Sequence, residues 1–169
     1  RGLAEARGGR RGPENVWGSA ATGACLALLI GAGVEPGPLL LVGFSASFSA
    51  KLADTFGSEI GKRWGRRPVL ITTLRSVPPG TEGAISLAGT LASAAGSVLM
   101  TLVMWQLQLL PSISVSLVVM LIGLLATLAE SLLGALAQDR FRWLSNELVN
   151  ALQTLLAAVM AMLWLGGRI

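Results

Sequence analysis

Five long apolar stretches, separated by short polar or proline-containing breaks, set the pattern of this chain. They run from about Val16 to Val34, Pro38 to Gly61, Ala84 to Leu107, Ile113 to Gln138 and Ser145 to Leu165. Each is about 20 residues or longer, which is what an α-helix needs to cross a hydrocarbon core of about 30 Å. Glu35-Pro36-Gly37-Pro38 and Leu109-Leu110-Pro111-Ser112 break the pattern with turn chemistry, because proline and glycine stop one helix and start another. Pro13 stands near the start of the first helix, with Asn15 placed to cap it. The pattern predicts an all-α polytopic bundle of about five transmembrane helices, with residues 1–169 forming one membrane domain. Long apolar runs in place of segments of about ten alternating residues argue against a membrane β-barrel.

The second stretch is apolar only in its first half. After Leu39-Leu40-Leu41-Val42 it takes up Ser45, Ser47, Ser49, Lys51, Asp54, Thr55, Ser58 and Glu59. An ionisable group at membrane depth is costly unless paired or wet, so these residues mark a candidate site. On a helix, Lys51 and Asp54 are three apart and Asp54 and Ser58 four apart, so each pair shares a face. A buried ion pair that pins helices together would account for Lys51 and Asp54 by themselves. It would not account for the basic loop at the end of this stretch. Lys62, Arg63, Arg66, Arg67 and Arg75 crowd that loop, over residues 59–83, with a short extended piece predicted at Val69 to Thr73. The loop closes on Pro78-Pro79-Gly80-Thr81-Glu82-Gly83, whose glycines let a ligand approach the main chain while the basic side chains offer contacts to phosphate oxygens. The third span opens with Ser86, Gly89, Ser93 and Gly96, and the free amides of its first turn suit an anion. Thr127, Glu130, Ser131, Gly134 and Gln138 form a polar stripe late in the fourth span, and Asn146, Asn150, Gln153 and Thr154 one early in the fifth. All of these polar groups lie toward the same end of the predicted bundle, which implies a polar cleft there.

Composition agrees with the membrane reading. Hydrophobic residues are 53% and charged residues 13% of the chain, where a soluble domain carries about 45–50% and 25%. The mean hydropathy is +0.67, and 21 glycines suit helices that pack closely in lipid. A net charge of +4 would fit a nucleic-acid binder, but the positions of the charges argue for membrane topology. Apart from Lys51 and Arg168, every Lys and Arg lies before Val16, between Glu59 and Glu82, or around Gln138 to Glu147. With five spans these segments share one side, which the positive-inside rule places as cytoplasmic or stromal. The partners to expect are therefore membrane lipids and a polyanion, with no nucleic acid. The single Cys25 forms no intramolecular disulfide and reads as a packing residue, and the lack of any histidine excludes a His general base or a Cys/His zinc site. The chain begins at Arg1 without signal-peptide architecture, so further spans upstream in a longer form are expected.

Four blocks resemble the phytyl-phosphate kinase family, membrane proteins of vitamin E and phytol salvage in plastids and cyanobacteria. They are Arg7-Gly8-Gly9-Arg10-Arg11-Gly12 with Asn15-Val16 and Gly18; Ala53-Asp54-Thr55 with Ser58-Glu59-Ile60-Gly61; Pro78 to Gly83 with Ser86, Gly89 and Thr90; and Glu130-Ser131-Leu132-Leu133-Gly134 with Gln138, Asn146 and Asn150. Two departures stand out: the family often has Asp where Glu130 stands and Asn where Glu82 stands. The central blocks are also similar to the wider group of CTP-using membrane enzymes, the dolichol kinases, phytol kinases and phosphatidate cytidylyltransferases. The resemblance implies CTP-dependent phosphoryl transfer to phytyl phosphate or a similar prenyl monophosphate, with Mg²⁺ as cofactor, in a cyanobacterial or plastid membrane. Such chemistry needs a divalent metal on the phosphates, positive charge on their oxygens and an aligned acceptor, and an anionic acceptor needs no general base.

On this reading Asp54, Lys51 and Glu59 are the catalytic candidates, and Asp54, Glu59 and Glu130 hold the metal. Lys51, Lys62, Arg63 and the Arg66-Arg67 pair neutralise triphosphate, and Arg10, Arg11 or Arg75 the acceptor phosphate. Asn15, Thr55, Ser58, Gly80, Thr81, Glu82, Gly83 and Ser86 complete the phosphate-binding surface, and Ser131, Gln138, Asn146 and Asn150 the rest of the cleft. The rival within enzymes is cytidylyl transfer to a lipid phosphate. The rival from another class is a solute or ion transporter, although neither an internal repeat nor a midplane cluster of polar residues is found.

Overall fold

The structure, a computed structural model, describes residues 12–138, 141 and 143–168. Five helices succeed one another: α1 (Pro13–Gly31), α2 (Gly37–Trp64), α3 (Leu87–Gln106), α4 (Ile113–Leu133) and α5 (Asn146–Gly166). The integral membrane, all-α reading holds. Among the described residues four helices, α2 to α5, are long and apolar enough to cross a membrane. α1, of 19 residues, is not among these four; Pro13, Glu14 and Asn15 occupy its first turn.

α2 is the central element and touches all four other helices. Its buried positions are mostly small, among them Ser45, Ala46, Ser49, Ala50 and Ala53, so neighbouring backbones come close. Gly96 of α3 rests on the α2 backbone, where an added Cβ would stand 2.7 Å from the Leu52 carbonyl oxygen. Hydroxyls join the same seam: Ser49 Oγ lies 2.9 Å from Ser97 Oγ and 3.1 Å from Thr101 Oγ1, and Ser97 donates to the Met120 carbonyl at 2.6 Å. Deeper apolar packing gathers Val42, Ala46, Ala50, Val119, Ile122 and Ala157.

The basic loop is folded. β1 (Val69–Leu70) pairs antiparallel with β2 (Ala84–Ile85), with Val69 opposite Ile85 and Leu70 opposite Ala84, and Val69 also bridges Ser76. Several sequence expectations change here. Ala84 lies in β2 and does not start the third helix, which begins at Leu87 behind Ser86; the Ser86 Oγ accepts the Gly89 N–H at 3.1 Å. The extended piece stops at Leu70, after which the chain turns through Leu74 at φ 55°. Asn15 does not cap α1: Pro13 takes the first helical position, so the cap falls on Gly12. The fourth helix does not run straight to Gln138 but ends in a π-helical turn, Gly134–Gln138. The starts of α1, α3 and α5 meet the ends of α2 and α4 at one end of the bundle, where residues of all five line one cleft.

Candidate functional site

That end holds a polar cleft of about 760 Å³. Its centre is Lys51, whose Nζ donates to Asp54 Oδ2 at 2.7 Å and to Asn150 Oδ1 of α5 at 2.9 Å. The first contact is one helical turn long and arises from the three-residue spacing; the second crosses between helices. The side chains of Lys51 and Asp54 are only 15% and 16% exposed, so the ion pair is largely desolvated and its attraction little screened. An ammonium carries three donors, and these two bonds use two of them. The expectation of a Lys51–Asp54 pair on one face is met, and Asn150 completes it.

One turn beneath, Gln153 Nε2 donates to the Ala50 carbonyl at 3.2 Å and to Thr127 Oγ1 at 3.0 Å. Asn150 and Gln153 are three apart on α5 and both buried, so this face of α5 pins α2 and α4 from the cleft inward. Glu130 and Ser131 bring the end of α4 into the wall, and Gly80, Thr81, Glu82 and Gly83 bring the loop over it. Gly83 has φ +72°, and a Cβ there would meet the backbone of Ala135, so glycine is what lets this loop lie against α4. Three helix starts, those of α1, α3 and α5, also face the cleft through Asn15, Ser86 and Asn146, and each presents the partly positive end of its dipole.

Most of the sequence candidates therefore come together: Asn15, Lys51, Asp54, Thr55, Ser58, Lys62, Gly80, Thr81, Glu82, Gly83, Ser86, Glu130, Ser131, Asn146 and Asn150 all line the cleft. Glu59, Arg63, Arg66, Arg67 and Arg75 do not, and all five are exposed. Glu59 lies five residues beyond Asp54, which at 3.6 residues per turn turns it to another side of α2. Asp54, Glu59 and Glu130 are accordingly not gathered as a set, and among the described residues no three His, Cys, Asp or Glu side chains stand together to hold a metal. Arg10 and Arg11, and the side chain of Gln138, lie outside the described residues. The cleft also contains residues that sequence reasoning passed over, notably Glu14, Ser19 and Glu147. Glu14 and Glu147 adjoin the singled-out Asn15 and Asn146 in first helical turns, and that adjacency was the available signal.

Fold and site together define a polytopic helical membrane protein with an ion-paired polar cleft at one end of its bundle. The chain belongs to the family described as integral membrane protein DUF92, whose model matches residues 1–158. Among its relatives, an uncharacterized membrane protein of Synechocystis sp. is 48% identical over 161 residues, covering 95% of this chain and 62% of that protein. The chloroplastic protein VTE6 of Arabidopsis thaliana is 43% identical over 169 residues, covering 96% of this chain and 50% of that protein. An uncharacterized membrane protein of Methanocaldococcus jannaschii is 38% identical over 123 residues, covering 73% of this chain and 50% of that protein. The chain thus spans about half to three-fifths of the length of the curated relatives it matches. No solved structure matches it.

Proposed function

We propose that this chain carries the catalytic cleft of a CTP-dependent kinase that phosphorylates phytyl phosphate or a similar prenyl monophosphate. The observation that carries the reading is the Lys51 ammonium, held by Asp54 and Asn150 inside a cleft of about 760 Å³ that also collects Lys62 and three helix starts. Five carboxylates, Glu14, Asp54, Glu82, Glu130 and Glu147, line the cleft beside these two lysines, so the reading is of a polyphosphate that arrives with Mg²⁺ at the end of a membrane bundle, where a lipid headgroup also lies. The similarity to a chloroplastic protein and to a Synechocystis membrane protein supports a plastid or cyanobacterial membrane. The basic loop supports a cytoplasmic or stromal cleft. The choice of CTP as donor and of a prenyl phosphate as acceptor comes from the family resemblance.

In the reaction, an oxygen of the acceptor phosphate forms a bond to the γ-phosphorus of CTP, the bond from that phosphorus to the β-phosphate oxygen breaks, and CDP leaves. Lys51 and Lys62 offset charge on the phosphate oxygens, and the loop glycines let the main chain approach them. Asp54 and Glu130 both line the cleft. They suit Mg²⁺, which takes only one or two protein carboxylates, keeps several waters and arrives on a triphosphate. Bound there, the ion would neutralise triphosphate charge. Asp54 has a further role that needs no metal: it fixes the Lys51 head.

Purified protein in detergent, given phytyl phosphate, Mg²⁺ and CTP labelled at the γ position, is expected to place label in a lipid diphosphate, with an Asp54→Asn control silent. Label released as pyrophosphate would instead make the reaction cytidylyl transfer, and CTP left intact by a folded protein would end the enzyme reading.

A further inference from the structure

We infer that the arginine-rich loop between α2 and α3 is a docking surface for the anionic phospholipid headgroups of the surrounding bilayer. Of the five cations in this loop, Lys62 alone lines the cleft. Arg63, Arg66, Arg67 and Arg75 stand outside it, exposed. Among the described residues, the side chains of Arg66, Arg67 and Arg75 make no hydrogen bond or ion pair within the chain. Their charge is therefore offered outward, to a partner that is neither the cleft nor its occupant.

The fold gathers these charges and holds them. Arg75 is separated from Arg66-Arg67 in the chain, and a tight hairpin brings it back: the Val77 N–H donates to the Pro68 carbonyl at 3.0 Å, Val69 bridges Ser76, and the Leu70 N–H donates to the Arg75 carbonyl at 2.9 Å. Beside them Trp64 is 65% exposed, with the Arg63 guanidinium 5.9 Å from its ring centroid, and Leu74 at the hairpin turn is 70% exposed. Arg67 and Leu74 take left-handed backbone, φ 51° and 55°, which residues with a Cβ rarely adopt. Strain of this kind persists where the surrounding structure fixes it, and here it falls on two exposed side chains of the patch.

Depth in the membrane selects the partner. α3 has 20 residues, about 30 Å of helix, which matches the hydrocarbon core, so its start at Leu87 marks the core edge. The end of α2 lies at that level: a Cβ at Gly61 would stand 3.3 Å from the Gly89 Cα, and one at Gly65 would meet the Ser86 side chain. Arg63 and Trp64 fall between those two glycines, and the hairpin is tied to the same level by the pairs Val69–Ile85 and Leu70–Ala84. The patch thus sits in the headgroup layer, where lipid phosphates are the anions at hand. Guanidinium forks match phosphate oxygens, and each cation close to an anionic leaflet adds attraction. An exposed Trp suits the same layer, because its ring meets hydrocarbon on one side and water on the other.

The test is native mass spectrometry of the detergent-purified protein titrated with dioleoyl phosphatidylglycerol or with dioleoyl phosphatidylcholine. Tighter binding of phosphatidylglycerol is expected. The triple variant Arg66→Gln, Arg67→Gln, Arg75→Gln is expected to lose at least about tenfold in apparent affinity for it. Arg168→Gln, at the far end of α5 where the guanidinium lies over Trp164, should keep that affinity within about twofold. CTP with Mg²⁺ is expected to leave the bound phosphatidylglycerol in place. Equal binding of the two lipids, a triple variant with wild-type affinity, or displacement of the lipid by CTP would each overturn the inference, the last by assigning the arginines to the nucleotide. Should the triple variant not fold, the wild-type protein decides by ionic strength. An exposed patch is screened, so raising ammonium acetate from about 0.05 M to about 0.5 M should abolish the preference, and a preference unmoved by salt sinks the inference. Binding is read without turnover, so the result is independent of the reaction assigned to the cleft.

Discussion

Asn150 Oδ1 of α5 accepts a hydrogen bond from Lys51 Nζ of α2 at 2.9 Å, joining residues 99 apart in the chain across the floor of the cleft. The bond aims the ammonium and ties the two helices. Replacing Asn150 with Leu removes the acceptor and leaves Lys51 with Asp54 alone. We expect kcat/KM for phosphoryl transfer to fall roughly 10²-fold, in the range seen when one electrostatic contact to a transition state is lost. A double-mutant cycle with Lys51→Met should show strong non-additivity, because the two side chains act through one contact. Additive effects would mean that the bond has no part in the reaction.

Asp54 and Glu59 separate two readings of the same helix. Asp54→Asn weakens the hold on Lys51 and removes a cleft carboxylate, so we expect activity to drop at least about 10²-fold. Glu59→Gln, on an exposed side chain outside the cleft, should stay within about twofold, because its carboxylate does not line the cleft. Steady-state rates on the two variants, at matched expression and melting temperature, decide the matter. A silent Glu59→Gln enzyme would restore Glu59 to the ligand set.

Gly83 occupies the left-handed region with φ +72° and abuts Ala135. An alanine there meets both a strained backbone and a filled space. Strain of this kind costs on the order of 1–3 kcal/mol. Gly83→Ala is therefore expected to lower thermal stability in detergent and to raise KM for CTP, because the Gly80–Gly83 segment shifts off the cleft. Gly31→Ala, where a Cβ would meet open space at a helix end, serves as the control and should leave both quantities unchanged.

Gln153 is 2% exposed, and its Nε2 holds the Ala50 carbonyl and the Thr127 hydroxyl together. Gln153→Leu keeps the bulk and removes the donors. Interhelical hydrogen bonds in membranes are worth about 0.6 kcal/mol each on average and up to about 1.7 kcal/mol. A loss of about 1–3 kcal/mol in a denaturation experiment is the expected outcome for two such bonds. No measurable change would show that the contacts are replaced by apolar packing.

The number and order of the helices were legible because a membrane span is a local property: length, apolar content and the proline and glycine breaks suffice. The Lys51–Asp54 pair was legible for the same reason, since three-residue spacing on a helix is itself a contact. The loop was less so. Val69 and Leu70 find their partners at Ala84 and Ile85, and no periodicity in two-residue strands announces that pairing. Glu59 was grouped with Asp54 by proximity in sequence, yet helical geometry turns it away. Glu14 and Glu147 became cleft residues because α1 and α5 begin beside each other, with Gly18 lying against the Glu147 backbone.

The amino-acid sequence by itself determined that this is a bundle of membrane helices with most of its charged groups toward one end, because hydrophobic burial in a bilayer is written residue by residue along the chain. Only the tertiary structure decided which of those charged groups share a cleft. That choice depends on how α5 rotates Asn150 toward Lys51 and how Gly83 lets the loop settle on α4, and both are contacts between distant segments set by packing.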